Sequence, residues 1–276
     1  LGFDGVAVTD WEDIRYLKSR HKVAATHKDA IRMAILAGID MSMVPQDWEF
    51  PVLLKELVEE GAISEARIDL SVRRILTLKE RLGLLDEGGE ALPAMLTDQE
   101  RLALEEAPAQ AALECITLLK NENDVMPIAS SANIFVSGPT ANSLNALNGG
   151  WSGTWQGKNP KYNNPGRKTA VEALREEFGA GRIQFEELES MDFTQQDIRR
   201  VSSAVRRSRP DVAVLFLGEM PYTEFMGNIG DLRLADNQLD LVRAVRATGT
   251  PVVAVFVEGR PRTFSQVEPD LDGVVM

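Results

Sequence analysis

Gly2-Phe3-Asp4-Gly5-Val6-Ala7-Val8-Thr9-Asp10-Trp11 is the stretch on which the reading of this chain turns. The apolar run Val6 to Val8 has the length and composition of a buried strand. It gives way at once to Thr9-Asp10-Trp11, a carboxylate and an indole at the strand's C-terminal tip. In parallel α/β folds the loops at that end converge on one mouth, where active-site groups collect. An acid beside a large aromatic suits a sugar: the ring packs on the apolar face of a pyranose and the acid reacts or hydrogen-bonds. Asp10 taken alone reads as a helix N-cap after a strand.

A second tip lies far along the chain. Val212 to Leu217 is an apolar strand running into Gly218-Glu219-Met220-Pro221-Tyr222-Thr223-Glu224. Between and around the two tips, strand and helix signals alternate. Helical patterns cover Lys28 to Leu36, Phe50 to Glu60, a long segment opened by Ser64 and ended by Gly83, Thr169 to Phe178, Gln195 to Arg207 and Asn237 to Ala247. Strand signals cover Ile39 to Met43, Asn133 to Ser137, Arg182 to Phe185, Val252 to Val257 and Gly273 to Met276. Continuous apolar strands alternating with helices predict an α/β fold, a mostly parallel sheet covered on both faces. Asp86-Glu87-Gly88-Gly89-Glu90-Ala91-Leu92-Pro93 breaks the pattern and places a linker at 87–97. Thr97-Asp98-Gln99-Glu100 has the form of a capping box at the next helix start, and Pro108 predicts a kink or restart within that helix.

The two tips together resemble the β-glucosidase and exo-β-glucanase branch of glycoside hydrolase family 3. The resemblance covers nearly the whole chain. It takes in Ala37-Gly38-Ile39-Asp40-Met41, Ala66-Arg67-Ile68-Asp69 with Val72-Arg73-Arg74-Ile75-Leu76, Leu118-Leu119-Lys120-Asn121-Glu122, Gly149-Gly150-Trp151 and Glu258-Gly259-Arg260-Pro261. Each motif is weak alone, and their shared order is the evidence. The resemblance implies that residues 1–86 are the C-terminal part of a (β/α)8-type barrel carrying the nucleophile. It implies that 98–276 form most of an α/β sandwich domain carrying the acid/base. A closed barrel needs eight strands and ~250 residues, whereas 1–86 carry two strand signals, so the expectation is a fragment. The start at Leu1 and the stop inside the strand signal ending at Met276 agree with it.

The resemblance implies Asp10 as nucleophile and Glu224 as acid/base, the two carboxyl groups that glycoside hydrolysis needs. No cofactor and no metal are expected. Trp11 is expected to wall the sugar, and Trp151 and Trp155 to form a stacking platform, because two indoles in the Gly-rich loop Gly149 to Trp155 are hard to place in a core. Glu219 competes with Glu224 for the acid role and reads as a structural carboxylate. Asp231 reads as loop shaping, and Arg260 as half of a structural ion pair. Without the family pattern, Glu224 reads as a solvated loop carboxylate.

Composition narrows the classes. The apolar fraction is 44%, the charged fraction 26% and the net charge −12. Nothing basic clusters to neutralise phosphates, so no nucleic-acid partner is expected. No apolar run approaches the ~20 residues that span a bilayer, and a carbohydrate is the expected partner. Cys115 lies in an apolar pattern and reads as a buried structural thiol. His21 and His27 read as surface or capping residues, without metal-ligand spacing. A periplasmic or secreted parent is favoured. Substrate expectations are β-D-glucosides or β-glucan oligosaccharides, hydrolysed from the chain end by double displacement, with β-xylosides next. The rival from another class is a non-catalytic sugar- or nucleotide-binding module, which leaves the two acidic tips unexplained and lacks G-x-G-x-x-G.

Overall fold

A computed structural model of the chain describes residues 2–44, 48–85 and 97–276. The chain divides into two compact units, Leu1–Glu100 and Arg101–Met276. The expected linker at 87–97 lies outside the described residues except for Thr97. Thr97 does form the expected capping box: its amide donates to Glu100 Oε2 at 2.8 Å, and the Glu100 amide donates back to Thr97 Oγ1 at 3.2 Å.

In the first unit, strand β1 (Val8–Trp11) is followed by α1 (Asp13–Ser19) and α2 (His27–Ala37). Then come β2 (Met41–Met43), α3 (Glu49–Glu59) and α4 (Glu65–Arg81). Helix α1 has no counterpart in the sequence reading. Helix α4 starts where Ser64 predicts, with Ser64 Oγ accepting the Arg67 amide; α2 starts at His27, one residue before the expected Lys28, behind a reciprocal capping box of Thr26 and Asp29. Ile14, Ala30, Ile31, Ile35, Leu57 and Ile63 form the core of this unit.

Strand β1 starts later than the apolar run suggests, at Val8 rather than Val6, and contains Asp10 and Trp11 rather than ending before them. The cause is Asp40. The Ala7 amide donates to Asp40 Oδ2 at 3.0 Å, so a side chain takes the place of a ladder bond, and the ladder to β2 begins one residue on. Asp40 is a hub. Its side chain is fully buried and accepts from Ser71 Oγ at 2.6 Å and from Arg74 Nη1 at 3.2 Å, with Arg67 Nη1 at 3.4 Å. Arg67 also donates to the Ile35 and Ile39 carbonyls at 2.8 and 3.0 Å. The motifs around Asp40, Arg67 and Arg74 are thus one network that ties α4 to the end of α2 and to β1.

In the second unit, α5 (Asp98–Cys115) leads in and continues through Pro108 without the expected restart. Six strands follow: β3 (Leu118–Asn121), β4 (Ile134–Ser137), β5 (Ile183–Phe185), β6 (Val212–Gly218), β7 (Val252–Val257) and β8 (Gly273–Val275). They form one sheet in the order β3-β8-β7-β6-β4-β5, parallel except for β3 against β8. The crossover helices are α6 (Ala170–Phe178), α7 (Gln195–Ser208) and α8 (Asp236–Arg246). All seven residues of β6 are buried, and they divide with period two. Ala213, Leu215 and Leu217 pack with Val201, Val205, Leu241 and Val245 of α7 and α8. Val212, Val214 and Phe216 pack with Val171, Leu174 and Phe178 of α6. The sheet is therefore covered on both faces, as its continuous apolar strands predict.

Two expectations change here. Leu118–Asn121 is a strand, although it was read as a bare motif; it is exposed over Leu118 and Leu119 and so lacks the apolar signature. Cys115 is exposed rather than buried, as is every residue of α5 from Glu106 to its end.

The order of the sheet fixes where loops meet. From β4 the chain crosses by α6 to β5 on one side, then returns by α7 to β6 on the other. The winding direction reverses between β4 and β6. In open α/β sheets such a switch point, at the carboxyl ends of the strands, opens a crevice. Gly218, at the end of β6, has φ +131°, and a Cβ there would lie 2.0 Å from the Val257 carbonyl oxygen. Only glycine lets β6 turn outward this close to β7.

Burial pushes the Asp40 carboxyl up, but the Ser71 hydroxyl, the Ala7 amide and Arg74 together outweigh it, so its pKa lies below the usual value. A depressed folded pKa means stability that is in place above about pH 4, the unfolded value, and lost as pH falls through the folded value. Asp40→Asn leaves Arg67 and Arg74 without a counter-ion. It is expected to cost about 3 kcal/mol at pH 7. Hydrogen exchange of the β1 and α4 amides should lose protection in the variant at pH 7, and much less protection should separate it from the parent at pH 2.

Candidate active site

Asp10 sits in a bulged strand. Val8 pairs with Met41 and Trp11 with Met43, so β1 spends one residue more than β2 over the same span. Bulges of this kind re-aim side chains and occur beside active sites. Thr9 Oγ1 accepts the Met43 amide at 2.9 Å, which pins the β2 side of the bulge. Asp10 Oδ1 accepts the Trp11 amide at 2.6 Å, and the Asp10 amide donates to Asp13 Oδ2 at 3.2 Å. The N-cap of α1 is Glu12, in the left-handed region at φ +57°, so Asp10 is not a helix cap. Asp10 is exposed, and Trp11 beside it is 53% exposed. His27 opens α2 and places Nδ1 2.8 Å from Glu49 Oε2.

Glu224, Trp151 and Trp155 belong to the second unit, on loops that leave β4 and β6 side by side at the switch point. Trp155 meets Phe225 edge to face, with ring centroids 5.6 Å apart. Trp151 is 67% exposed and Trp155 39%. The structure thus brings both indoles and Glu224 to one loop cluster. Glu224 itself is exposed, and its carboxyl makes no hydrogen bond or ion pair among the described residues. Its φ is +54°, a conformation that costs a non-glycine residue about 1 to 2 kcal/mol.

Glu219, five residues earlier, has a different life. Its side chain is 16% exposed and is held by Arg260 Nε at 3.2 Å and Arg262 Nη1 at 3.0 Å. The Arg260 guanidinium also lies 4.0 Å from the centre of the Tyr222 ring. Burial raises the Tyr222 phenol, and its hydrogen bond to Glu219 raises it further. Burial also pushes Glu258 up, against the Arg262 amide that donates to it at 2.9 Å. Arg262 completes the cluster by donating to the Arg233 carbonyl at 2.8 Å. Asp231 Oδ1 accepts the Arg233 amide at 2.9 Å, a loop-shaping contact.

Sequence reasoning missed Arg262 and two glutamines. Gln238 on α8 is 1% exposed and grips the end of β6: it accepts from the Gly218 amide at 2.9 Å and donates to the Gly218 carbonyl at 2.8 Å. Gln156 grips Thr223 in the same way, at 3.1 and 3.3 Å. Gln238 carried a signal, a polar residue on the apolar face of α8. Gln156, in a polar loop, carried none.

The glycosyl hydrolase family 3 N terminal domain matches residues 1–78, and the glycosyl hydrolase family 3 C-terminal domain matches residues 116–276. The chain belongs to glycosyl hydrolase family 3. The lysosomal beta glucosidase of Dictyostelium discoideum is 39% identical over 281 residues, which cover 98% of this chain and 33% of that protein. The periplasmic beta-glucosidase of Salmonella typhimurium is 28% identical over 294 residues, 99% of this chain and 38% of that protein. The crystal structure of a beta-glucosidase from Listeria innocua in complex with glucose superposes with a TM-score of 0.77 at 30% identity, covering 99% of this chain and 36% of that one. The family-3 chain thus spans about a third of the length of the relatives it matches.

The two loop carboxylates should separate by stability. Glu219→Gln leaves two half-buried arginines unpaired and is expected to destabilise the second unit by about 2 kcal/mol. Glu224→Gln removes nothing that packs and is expected to stay within about 0.5 kcal/mol. Thermal unfolding followed by indole fluorescence checks both.

Proposed function

We propose that this chain is the part of a retaining β-glycosidase that carries both reacting carboxylates. Asp10 attacks the anomeric carbon and forms a glycosyl-enzyme intermediate. Glu224 first gives its proton to the leaving oxygen, then takes one from the incoming water. Trp11, Trp151 and Trp155 offer apolar faces to the sugar rings. The substrates proposed are β-D-glucosides or β-glucan oligosaccharides cleaved from the chain end, with β-xylosides as the alternative in the same family. Residues 1–86 then belong to a catalytic barrel and 98–276 to an α/β sandwich domain. The parent protein is proposed to be periplasmic or secreted, in keeping with the Salmonella and Dictyostelium relatives.

The observation that carries this reading is the division of labour within Gly218–Glu224. Glu219 is consumed by two arginines, while Glu224 is exposed, free of ion pairs among the described residues and held in a costly backbone conformation. Strain of that kind persists where the surroundings over-determine it, and it collects at functional sites. The acid/base must be free to reach the leaving oxygen, and a carboxyl tied to two arginines is not.

The roles predict opposite chemistry in the full-length enzyme. Asp10→Gly removes the nucleophile, so turnover should nearly vanish, and azide should attack the vacated face to give an α-glycosyl azide. Glu224→Ala should lose about 10²- to 10⁴-fold on substrates with poor leaving groups. A dinitrophenyl glucoside, which needs little protonation, should still form the intermediate in that variant. Azide, which needs no general base, should then speed its breakdown and give the β-glycosyl azide. Product stereochemistry by NMR reads both cases. Azide rescue in Glu219→Ala and none in Glu224→Ala would move the acid/base to the other end of the loop.

A further inference from the structure

The loop that carries Glu224 is held by its neighbour in an unusual way. Thr223 is 8% exposed, and the peptides on both sides of its Cα are tied to one side chain. The Thr223 amide donates to Gln156 Oε1 at 3.1 Å, and Gln156 Nε2 donates to the Thr223 carbonyl at 3.3 Å. That carbonyl belongs to the peptide joining Thr223 to Glu224. Fixing both planes fixes ψ of Thr223 and sets the plane from which Glu224 starts, at φ +54°. The Thr223 hydroxyl adds a third bond, to the Trp155 carbonyl at 2.5 Å. The same carbonyl accepts the Trp151 amide at 3.0 Å, so the loop of indoles closes on itself at the atom that holds Thr223. The approach is close: a Cβ on Gly150 would lie 2.3 Å from Thr223 Oγ1 and 2.7 Å from the Tyr222 carbonyl oxygen.

We infer that Gln156 and Thr223 are positioning residues for the proton transfer at Glu224, and that they couple its placement to the Trp151–Trp155 platform. The inference rests on the reading of Glu224 as the acid/base. A clamp on the peptide before Glu224 acts on where the carboxyl stands. Neither residue brings a charge, so neither changes the electrostatics that govern its proton. Because the third acceptor is the Trp155 backbone carbonyl, a sugar ring that shifts the backbone of the Trp151–Trp155 loop also pulls on the clamp, and leaving-group binding and proton delivery become linked.

The test uses the full-length enzyme and two substrates. One is a dinitrophenyl β-glucoside, whose departure needs little acid help; the other is an alkyl β-glucoside, whose departure needs a full proton. kcat/KM reports the first chemical step for both. Gln156→Ala and Thr223→Val are expected to lower the ratio of the alkyl to the dinitrophenyl value by about 10- to 100-fold, the scale of a misplaced general acid. Thr223→Ser, which keeps the hydroxyl, should restore most of the ratio. Gln156→Met, uncharged and of similar length, loses both bonds and should behave as Gln156→Ala. An equal loss on both substrates, or no loss, overturns the inference. If Gln156→Ala does not fold, Gln156→Met and the Thr223 pair decide alone. Glu224→Ala run beside them separates the two readings. If Glu224→Ala shows no leaving-group dependence, the acid/base assignment fails, and this inference with it. If it shows the dependence and the Gln156 and Thr223 variants do not, the positioning inference alone fails.

Discussion

The parallel pairing of β4 with β6 is the constraint on which the second unit depends. The register runs from Ile134 against Val212 to Ser137 against Leu215, and both strands end at the same edge of the sheet. Their following loops must therefore leave together. One carries Trp151 and Trp155, the other Glu224. Neither loop could be placed from its own sequence, because nothing local says that the winding direction reverses between these strands. Once it does, a platform and a carboxylate that are about seventy residues apart become neighbours by topology alone.

Around that edge the chain uses two kinds of tie. Buried charges hold elements to elements: Asp40 gathers α4 and β1, and Glu219 gathers the ends of β6 and β7 through Arg260 and Arg262. Primary amides hold backbone to backbone. Asn121 pairs with both polar groups of Met126 at 2.9 and 2.7 Å, Gln238 with Gly218 and Gln156 with Thr223. An amide side chain offers one acceptor and two donors on a short rigid plane, so it can stand in for a neighbouring strand where no strand runs. Each such tie is worth about 1 kcal/mol net, but leaving its buried partners unpaired costs more.

The fold was legible wherever burial imposed a period. Strands β4, β6 and β7 are apolar runs, Ser137 at the end of β4 excepted, because both faces are covered, and α4 starts at the cap that the sequence spells out. It was illegible where an element owes its form to a distant partner. β1 begins late because Asp40 intercepts the Ala7 amide, and β3 is a strand because β8 pairs with it across more than 150 residues. The candidate carboxylates were legible as motifs. Their surroundings were not: that Glu219 is neutralised and Glu224 is left alone depends on Arg262, which no local pattern marks.

The choice of tie near Glu224 follows from the chemistry proposed for it. A left-handed residue needs its neighbours fixed, and an arginine could do that as well as a glutamine. A cation within ~4 to 6 Å, however, favours the ionised carboxylate and would drag its pKa down by about one to three units. An acid that must be protonated at working pH is then lost. Neutral amide and hydroxyl groups that bind the preceding peptide fix geometry and leave the charge balance alone. The arginines of this region, Arg260 and Arg262, follow β7 and lie on Glu219 instead. Geometry at Glu224 and charge at Glu219 are thus set by separate contacts five residues apart, and each can be altered without the other.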